Sequence, residues 1–235
     1  MNIALLLSGG TGARMGTDIP KQYLMAGNKR ICAYCMETLF AHPEIDGVQI
    51  VADPVWQEAI VRCGEELPGH RLWELKFRGF SLPGLNRQMS IFHGLEDIRN
   101  YAKDQAFVLV HDAARPLLSA GQVTSCLQGA TGHDGAMPVL PMKDTVYYSR
   151  DGRSVGKLLD RSTIYAGQAP EVFVLGKYYA ANRCLLPDDI LGINGSTEPA
   201  VMAGMDIAMI PGDEGNFKIT TKADLERFCG IMEER

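Results

Sequence analysis

A glycine-rich segment with two nearby basic residues is the first feature of this sequence that could do chemistry. The segment reads SGGTGARMG over residues 8–16 and includes Arg14, and Lys21 follows within PKQY. Glycine lets the backbone approach a ligand closely, and successive free backbone N–H groups form a concave anion site. Arg14 and Lys21 would add positive charge to that site. We therefore predict that this loop binds phosphate groups.

Two familiar phosphate-binding motifs do not fit this segment. The sequence contains no GxxxxGK[ST] run, so a P-loop is excluded. The dinucleotide motif GxGxxG fails as well, because Met15 stands where the third glycine would follow Gly10 and Gly12. An ordinary glycine turn remains the alternative interpretation.

An acidic residue at the end of an apolar segment is the second candidate. Residues 107–111 read FVLVH, which predicts a buried strand, and Asp112 follows directly. Ligands of open α/β sheets bind at the carboxyl ends of the strands. Mg²⁺ prefers carboxylate and phosphate oxygens, so we predict that Asp112 binds Mg²⁺. A helix N-cap, or an ion pair with Arg115, is the alternative role.

Apolar segments alternate with helix-like segments along most of the chain, and these elements must position the candidates. The pattern predicts strands over residues 2–7, 48–52, 107–111, 136–140 and 206–210. It predicts helices over residues 29–41, 56–65, 87–101, 122–129, 174–185 and 221–234. Such alternation predicts an α/β fold with a parallel sheet and helices on both of its faces. We expect a single domain over residues 1–235.

Residues 144–158 break this alternation. Two short strand-like runs flank Asp151-Gly152, which is a hairpin turn signal. An isolated hairpin is marginally stable, so we predict an arm that packs against a second copy of the chain, in a symmetric dimer.

Composition limits the class of function. The formal net charge of -5 argues against a nucleic-acid or anionic-membrane partner. The sequence lacks an apolar run long enough for a membrane span and shows no signal-peptide pattern at Met1, so a cytoplasmic location is expected. The six cysteines are then expected to be free thiols. Cys32 and Cys35 form a CxxC, and we interpret them as helix packing residues rather than as a redox or zinc site.

The order of short motifs resembles that of a known family. SGGTGARM, PKQY, VHDAARP, MKDT, GQAP and NFKITT follow one another between Leu5 and Phe228. This series is similar to that of the cytidylyltransferases acting on 2-C-methyl-D-erythritol 4-phosphate and on ribitol 5-phosphate. The resemblance implies a Rossmann-like, glycosyltransferase-A-like nucleotidyltransferase fold, a three-layer sandwich with a projecting β-arm. It also implies a homodimer that uses Mg²⁺ to transfer the cytidylyl group of CTP to a small sugar-alcohol phosphate, with release of pyrophosphate.

Site residues follow from the resemblance position by position. It implies catalytic roles for Arg14, Lys21, Asp112 and Lys218. It implies nucleotide contacts from Ser8, Gly9, Gly10, Gly84, Leu85, Ser90 and Ala113. It implies acceptor contacts from Arg115, Thr145 and Arg161, partly across the dimer.

The identity of the acceptor is where this sequence departs from the family pattern. Ala169 and Glu171 of QAPE stand where the pattern has Thr and Gln. The first choice is 2-C-methyl-D-erythritol 4-phosphate, and ribitol 5-phosphate or another polyol phosphate stays open. Two further alternatives are a sugar 1-phosphate nucleotidyltransferase that uses UTP or GTP and a non-catalytic nucleotide-binding regulator.

The chemistry of such a transfer does not need a general base. The second pKa of a phosphate monoester is about 6, so the acceptor is already mostly a dianion at neutral pH. We therefore expect positioning and charge neutralisation to carry catalysis. His111 alternates to the opposite face of its strand from Asp112 and is expected to be structural.

Overall fold

A mixed sheet of eight strands runs through the centre of this computed structural model, which describes residues 1–10 and 19–234. The described strands are β1 (Asn2–Leu7), β2 (Met25–Ala26), β3 (Lys29–Arg30), β4 (Gly47–Val51), β5 (Phe77–Ser81), β6 (Phe107–Asp112), β7 (Gly135–Pro141), β8 (Val146–Tyr148), β9 (Lys157–Leu159), β10 (Tyr165–Gly167), β11 (Glu171–Val174) and β12 (Ile207–Pro211). The described helices are α1 (Ile31–Ala41), α2 (Pro54–Glu65), α3 (His70–Lys76), α4 (Arg87–Arg99), α5 (Ala120–Gly129), α6 (Leu175–Arg183), α7 (Glu198–Met202) and α8 (Lys222–Glu233).

The main sheet has the strand order β10-β7-β11-β6-β1-β4-β5, and β12 also pairs with β7. Strands β6, β1, β4 and β5 run parallel, as do β7 and β12. The prediction of a parallel sheet was wrong for β10 and β11, which run antiparallel to their neighbours. Strands of three and four residues carry too little periodic pattern to be predicted from sequence.

Helices cover both faces of the sheet and bury alternate strand residues. Leu6, Ile50 and Leu109 belong to the core that contains side chains of α1, α2, α3 and α5. Leu5 and Val110 point to the other face, where α4, α6 and α7 pack. The fold is therefore a three-layer α/β sandwich. None of the helices in residues 1–10 and 19–234 is long and apolar enough to cross a membrane.

The predicted hairpin is present as an antiparallel pair that forms its own two-stranded sheet. Val146 of β8 pairs with Leu159 of β9, and Asp151 caps the turn by accepting hydrogen bonds from the backbone N–H groups of Arg153 and Ser154 at 2.9 Å. The arm exposes large apolar side chains, namely Tyr147, Tyr148, Val155 and Leu158.

Side-chain caps fix where the helices begin. Asn86 caps α4 by accepting a hydrogen bond from the N–H of Met89 at 2.8 Å. Thr221 and Asp224 form a capping box at the start of α8, as the sequence predicts. Helix α1 begins at Ile31 rather than Lys29, because Lys29–Arg30 pair with β2 instead.

Candidate active site

An open cavity of about 380 Å³ lies at the carboxyl ends of β1 and β6. Loops after both strands and the first turn of α4 form its walls. Among the described residues, its lining comprises Leu7, Gly9, Gly10, Lys21, Gln22, Gly84, Leu85, Asn86, Arg87, Ser90, Asp112, Ala114 and Lys218. This is the edge where parallel α/β sheets bind ligands.

Side chains of the residues after Lys21 hold the start of the glycine-rich segment by hydrogen bonds. The side-chain N–H₂ of Gln22 donates to the carbonyl oxygens of Ser8 at 2.8 Å and Gly10 at 2.7 Å. The Tyr23 hydroxyl donates to the Ser8 carbonyl at 2.7 Å. A side chain at Gly9 would meet Pro83 at 2.6 Å, so only glycine fits there. These contacts hold the start of the segment against the cavity.

The first turn of α4 forms the opposite wall. The Ser90 hydroxyl accepts a hydrogen bond from the N–H of Gly84 and donates to the carbonyl of Asn86, both at 2.9 Å. This pair closes the loop before the helix. A helix N-terminus carries partial positive charge from its unpaired N–H groups, so this wall favours phosphate oxygens.

Asp112 is the centre of a cluster of charges. Its Oδ1 lies 3.0 Å from Nη2 of Arg87 and its Oδ2 lies 3.0 Å from Nζ of Lys218. Arg115 approaches the same carboxylate, with Nε 3.6 Å from Oδ2. The carboxylate therefore holds three cations around one wall of the cavity.

Electrostatics keep Asp112 ionised. Burial raises the pKa of this carboxyl, but the charges of Arg87, Lys218 and Arg115 outweigh burial and hold the pKa well below its usual range. In the opposite sense, burial lowers the pKa of Arg115.

An ionised oxygen ligand at the cavity wall fits one position of a Mg²⁺ site. Within residues 1–10 and 19–234, groups of three or more His, Cys, Asp or Glu that could hold a metal are absent, so substrate phosphates and water would have to supply the other ligands.

The segment after β12 brings Lys218 to this cluster. The N–H of Ile219 donates to the carbonyl of Ala114 at 2.9 Å, and Nη1 of Arg115 donates to the carbonyl of Asn216 at 2.7 Å. Asn216 is itself tied to the carbonyl of Ala169 at 2.7 Å. Residues about a hundred positions apart in sequence thus meet because the chain returns past β6.

His111 lies outside the cavity, in agreement with a structural role. It is fully buried, and its Nε2 donates to the carbonyl of Arg115 at 3.1 Å. Its Nδ1 is buried and has no hydrogen-bond partner among residues 1–10 and 19–234. Burial lowers the pKa of His111 to about 4, so the ring is neutral near pH 7.

The residues assigned to the acceptor lie in two places. Arg115 is at the charge cluster, behind the cavity wall. Thr145 and Arg161 instead line a separate cavity of about 500 Å³ beside the arm, together with Leu158 and Leu159. Nη1 of Arg161 donates to the carbonyl of Lys143 at 2.7 Å, which fixes the base of the arm.

Most of the other assigned residues converge on the main cavity. Its walls include Gly9, Gly10, Lys21, Gly84, Leu85, Ser90, Asp112 and Lys218. Ser8 and Ala113 are buried directly behind these walls. Arg14 lies outside the described residues.

Sequence reasoning assigned no site role to three side chains at or beside this cavity: Gln22, Arg87 and Glu171. Gln22 lies inside the PKQY motif next to Lys21, and Arg87 lies between the assigned residues Leu85 and Ser90, so their positions offered a signal. The place of Glu171 beside the cluster depends on the antiparallel pairing of β11, which the sequence pattern did not predict.

Comparison with known proteins shows which family the chain resembles over its length. The sequence model of the family described as "IspD: 2-C-methyl-D-erythritol 4-phosphate cytidylyltransferase" matches residues 2–234. A 2-C-methyl-D-erythritol 4-phosphate cytidylyltransferase of Stenotrophomonas maltophilia is 31% identical over 229 residues, covering 96% of this chain and 94% of that protein. A bifunctional enzyme IspD/IspF of Granulibacter bethesdensis is 34% identical over 231 residues, which is 95% of this chain but 54% of that protein.

Solved structures show the same fold. The 2-C-methyl-D-erythritol 4-phosphate cytidylyltransferase of Francisella tularensis superposes with a TM-score of 0.79 at 23% identity and covers 97% of both chains. The 4-diphosphocytidyl-2C-methyl-D-erythritol synthase of Anaerococcus prevotii gives a TM-score of 0.80 at 21% identity, with coverage of 100% of this chain and 98% of that one.

Proposed function

This chain belongs to the 2-C-methyl-D-erythritol 4-phosphate cytidylyltransferase family, and we propose that it joins CTP to 2-C-methyl-D-erythritol 4-phosphate with release of pyrophosphate. The observation that carries this proposal is the shared cavity. There the glycine segment, Lys21, the start of α4 and the Asp112–Lys218 pair face one space. Such a space suits a nucleoside triphosphate, because it combines backbone N–H groups with fixed cations.

In the reaction, a phosphate oxygen of the acceptor attacks the α-phosphorus of CTP. The bond from that phosphorus to the bridging oxygen breaks, and pyrophosphate leaves. Both reactants are anions, so the protein must offset their repulsion. Lys21 and Lys218 neutralise charge on the phosphates, and the glycine segment and the first turn of α4 hold the nucleotide.

Asp112 has two roles in this proposal. It orients Lys218 and Arg87, and it is the residue that would hold Mg²⁺. Mg²⁺, when bound, supplies further neutralisation of the phosphate charge. The low pKa of Asp112 supports both roles, because the carboxylate is then charged throughout the physiological range.

We further propose that residues 1–235 act as one domain in a homodimer, and that the enzyme is cytoplasmic. Thr145 and Arg161 lie beside the arm and outside the main cavity. A symmetric dimer that packs the exposed arm on a partner would let these side chains reach the acceptor in the partner's cavity.

A substrate panel tests the proposed function. The enzyme is incubated with Mg²⁺, with each of CTP, UTP and GTP, and with either 2-C-methyl-D-erythritol 4-phosphate or ribitol 5-phosphate. We expect pyrophosphate release above background only with CTP, and at least tenfold faster with the erythritol phosphate. Preference for ribitol 5-phosphate or for UTP would contradict the assignment.

A further inference from the structure

Gln168 of the GQAP motif is a buried glutamine behind the main cavity. The residue is only 8% exposed, and it is not among the described residues that line that cavity. A buried side-chain amide needs hydrogen-bond partners, because an unpaired buried donor or acceptor is unfavourable. The partners of Gln168 therefore show what this motif holds in place.

Both ends of the Gln168 amide bond to the backbone of one residue, Asp213. Nε2 donates to the carbonyl of Asp213 at 3.0 Å, and Oε1 accepts from the N–H of Asp213 at 2.9 Å. This pair of bonds resembles a hydrogen-bonded pair of residues in an antiparallel sheet. A Cβ on Gly212 would lie 2.5 Å from Oε1 of Gln168, so the glycine leaves room for the amide to reach the backbone.

The next residue of the motif holds the same segment at a second point. Nδ2 of Asn216 donates to the carbonyl of Ala169 at 2.7 Å. The motif is itself tied to the central sheet, because the N–H of Gln168 donates to the carbonyl of Pro138 in β7 at 2.8 Å. Residues 213–216 are therefore anchored to the sheet through GQAP.

The anchored segment leads directly to Lys218, which lies two residues after Asn216. Nζ of Lys218 is 3.0 Å from Oδ2 of Asp112, and Lys218 lines the main cavity. On the other side of the lysine, the N–H of Ile219 donates to the carbonyl of Ala114 at 2.9 Å. The backbone around Lys218 is thus held by GQAP before it and by the loop after β6 behind it.

We propose that Gln168 is a positioning residue that acts through residues 213–216 and sets the place of Lys218 beside the reacting phosphates; this inference rests on the proposed function. Catalytic groups must be placed closely, since a displacement of about 1 Å caused far from the chemistry can slow a reaction about 100-fold. Without the Gln168 amide, residues 213–216 keep one anchor instead of two. The Lys218 ammonium is then in place less often when the α-phosphorus is attacked.

The test compares Gln168→Met with a matched control, Gln49→Met. Methionine is close to glutamine in size, but it removes both side-chain hydrogen bonds. Gln49 on β4 is also buried and also makes two such bonds, to Ser81 at 3.0 Å and from Tyr101 at 3.2 Å. Both variants are expected to unfold at a lower urea concentration than the wild type, so the control separates lost stability from lost positioning.

The two variants should differ in turnover. For Gln168→Met we expect kcat to fall about 10- to 100-fold with the KM for CTP within about threefold, because the glycine segment and α4 still hold the nucleotide. Gln49→Met should keep the wild-type kcat. A wild-type kcat in Gln168→Met would overturn the proposal. So would an equal fall of kcat in Gln49→Met.

A double-mutant cycle shows whether the effect passes through Lys218. The rate of pyrophosphate release is measured for Gln168→Met in the wild-type background and in the Lys218→Met background. Once the ammonium is absent, its position no longer matters, so we expect Gln168→Met to add no further loss in the Lys218→Met background. An equal further loss in that background would overturn the role of Lys218 in the proposal.

Hydrogen exchange followed by mass spectrometry tests the hold on the segment without any turnover. In Gln168→Met we expect the amides of residues 213–219 to exchange about 5- to 30-fold faster, the factor for one or two lost hydrogen bonds. In Gln49→Met they should exchange as in the wild type. Unchanged exchange in Gln168→Met would overturn the proposal. Should Gln168→Met not fold, Gln168→Glu carries the same tests, because a carboxylate keeps the acceptor and loses the donor.

The two proposals fail differently. A wild-type enzyme that releases no pyrophosphate from CTP with any acceptor contradicts the proposed function, and hydrogen exchange still decides whether Gln168 holds residues 213–216. A wild-type enzyme that turns over normally, beside a Gln168→Met variant with the same kcat, contradicts only the positioning role.

Discussion

At the scale of single residues, one carboxylate organises the site. Asp112 is buried, yet it stays ionised because Arg87, Lys218 and Arg115 surround it. Burying a charge is unfavourable unless it is paired. The cluster offsets the cost of burying Asp112, because all three cations pair with this one anion. Lys218 and Arg87 still face the cavity where phosphates would bind.

Lys21 offers a direct test of the catalytic assignment. We expect Lys21→Ala to lower the rate of pyrophosphate release by about 10²–10³, the usual loss when one stabilising group is removed. Lys103→Ala, an exposed lysine remote from the cavity, is the control and should keep the wild-type rate. Circular dichroism should show both variants folded. A Lys21→Ala variant with wild-type turnover would refute the assignment.

Removing the charge of Asp112 should weaken the fold as well as the activity. In Asp112→Asn the guanidinium groups of Arg87 and Arg115 lose their anion while still partly buried. We expect the free energy of unfolding at pH 7 to fall by about 3 kcal/mol, as for other broken buried ion pairs. Urea denaturation measures this free energy. An unchanged denaturation midpoint would contradict the stabilising role of the Asp112 ion pairs.

His111 should make stability depend on pH. Its pKa is about 4 when buried and 6.5 as the ordinary value, so the unfolded chain binds the proton more readily. The contribution of the neutral His111 ring to the free energy of unfolding is fully present above pH 6.5. It is lost as the pH falls toward 4, by up to about 3 kcal/mol. His111→Gln keeps an N–H donor without titrating. Urea unfolding of both proteins at pH 7.5 and 5 should show that the free energy of unfolding falls less in the variant than in the wild type. An equal fall in both proteins would contradict the role of His111.

At the scale of elements, the site depends on where the strands end and where α4 begins. The apolar residues 107–110 and the strand–helix alternation were enough to predict the parallel strands β1, β4, β6, β7 and β12. The Asp151-Gly152 turn signal predicted the hairpin, and Thr221 with Asp224 marked the start of α8.

The strands β5, β10 and β11 were not predicted. Strand β5 reads FRGFS and is interrupted by polar residues and a glycine, and β10 and β11 have only three and four residues, too few for a periodic pattern. Arg87 reaches Asp112 from the first turn of α4, and the strand of Glu171 lies beside β6 because β11 pairs with it. Local sequence pattern does not encode either approach between distant segments.

The arm is the element that makes the strongest prediction about assembly. Tyr147 and Leu158 are 56% and 63% exposed on the β8–β9 hairpin, so a partner surface should cover them. We expect the wild type to sediment as a dimer, and Tyr147→Ser with Leu158→Ser to shift it toward monomer. Val55→Ser, which changes a 73% exposed residue on α2, is the control. A monomeric wild type would contradict the proposed assembly. So would an arm variant that sediments as a dimer like the wild type.

At the scale of the whole molecule, charge is distributed unevenly. The chain carries a net charge of -5, but the carboxyl edge of the sheet gathers Arg87, Arg115 and Lys218 around one acid, and Lys21 lines the same cavity. These side chains come from segments far apart in sequence, including the first turn of α4 and the loops after β6 and β12, so the site forms only when the sandwich is complete. Anionic substrates are then drawn to one edge of an otherwise acidic protein.

The chemical identity of the product tests this account most directly. The purified enzyme is supplied with CTP, Mg²⁺ and 2-C-methyl-D-erythritol 4-phosphate, and the reaction is followed by phosphorus NMR. We expect the α-phosphorus of CTP and the acceptor phosphorus to become one diphosphate, with one pyrophosphate for each CTP consumed. Hydrolysis of CTP to CMP with the acceptor unchanged, or no consumption of CTP at all, would contradict it.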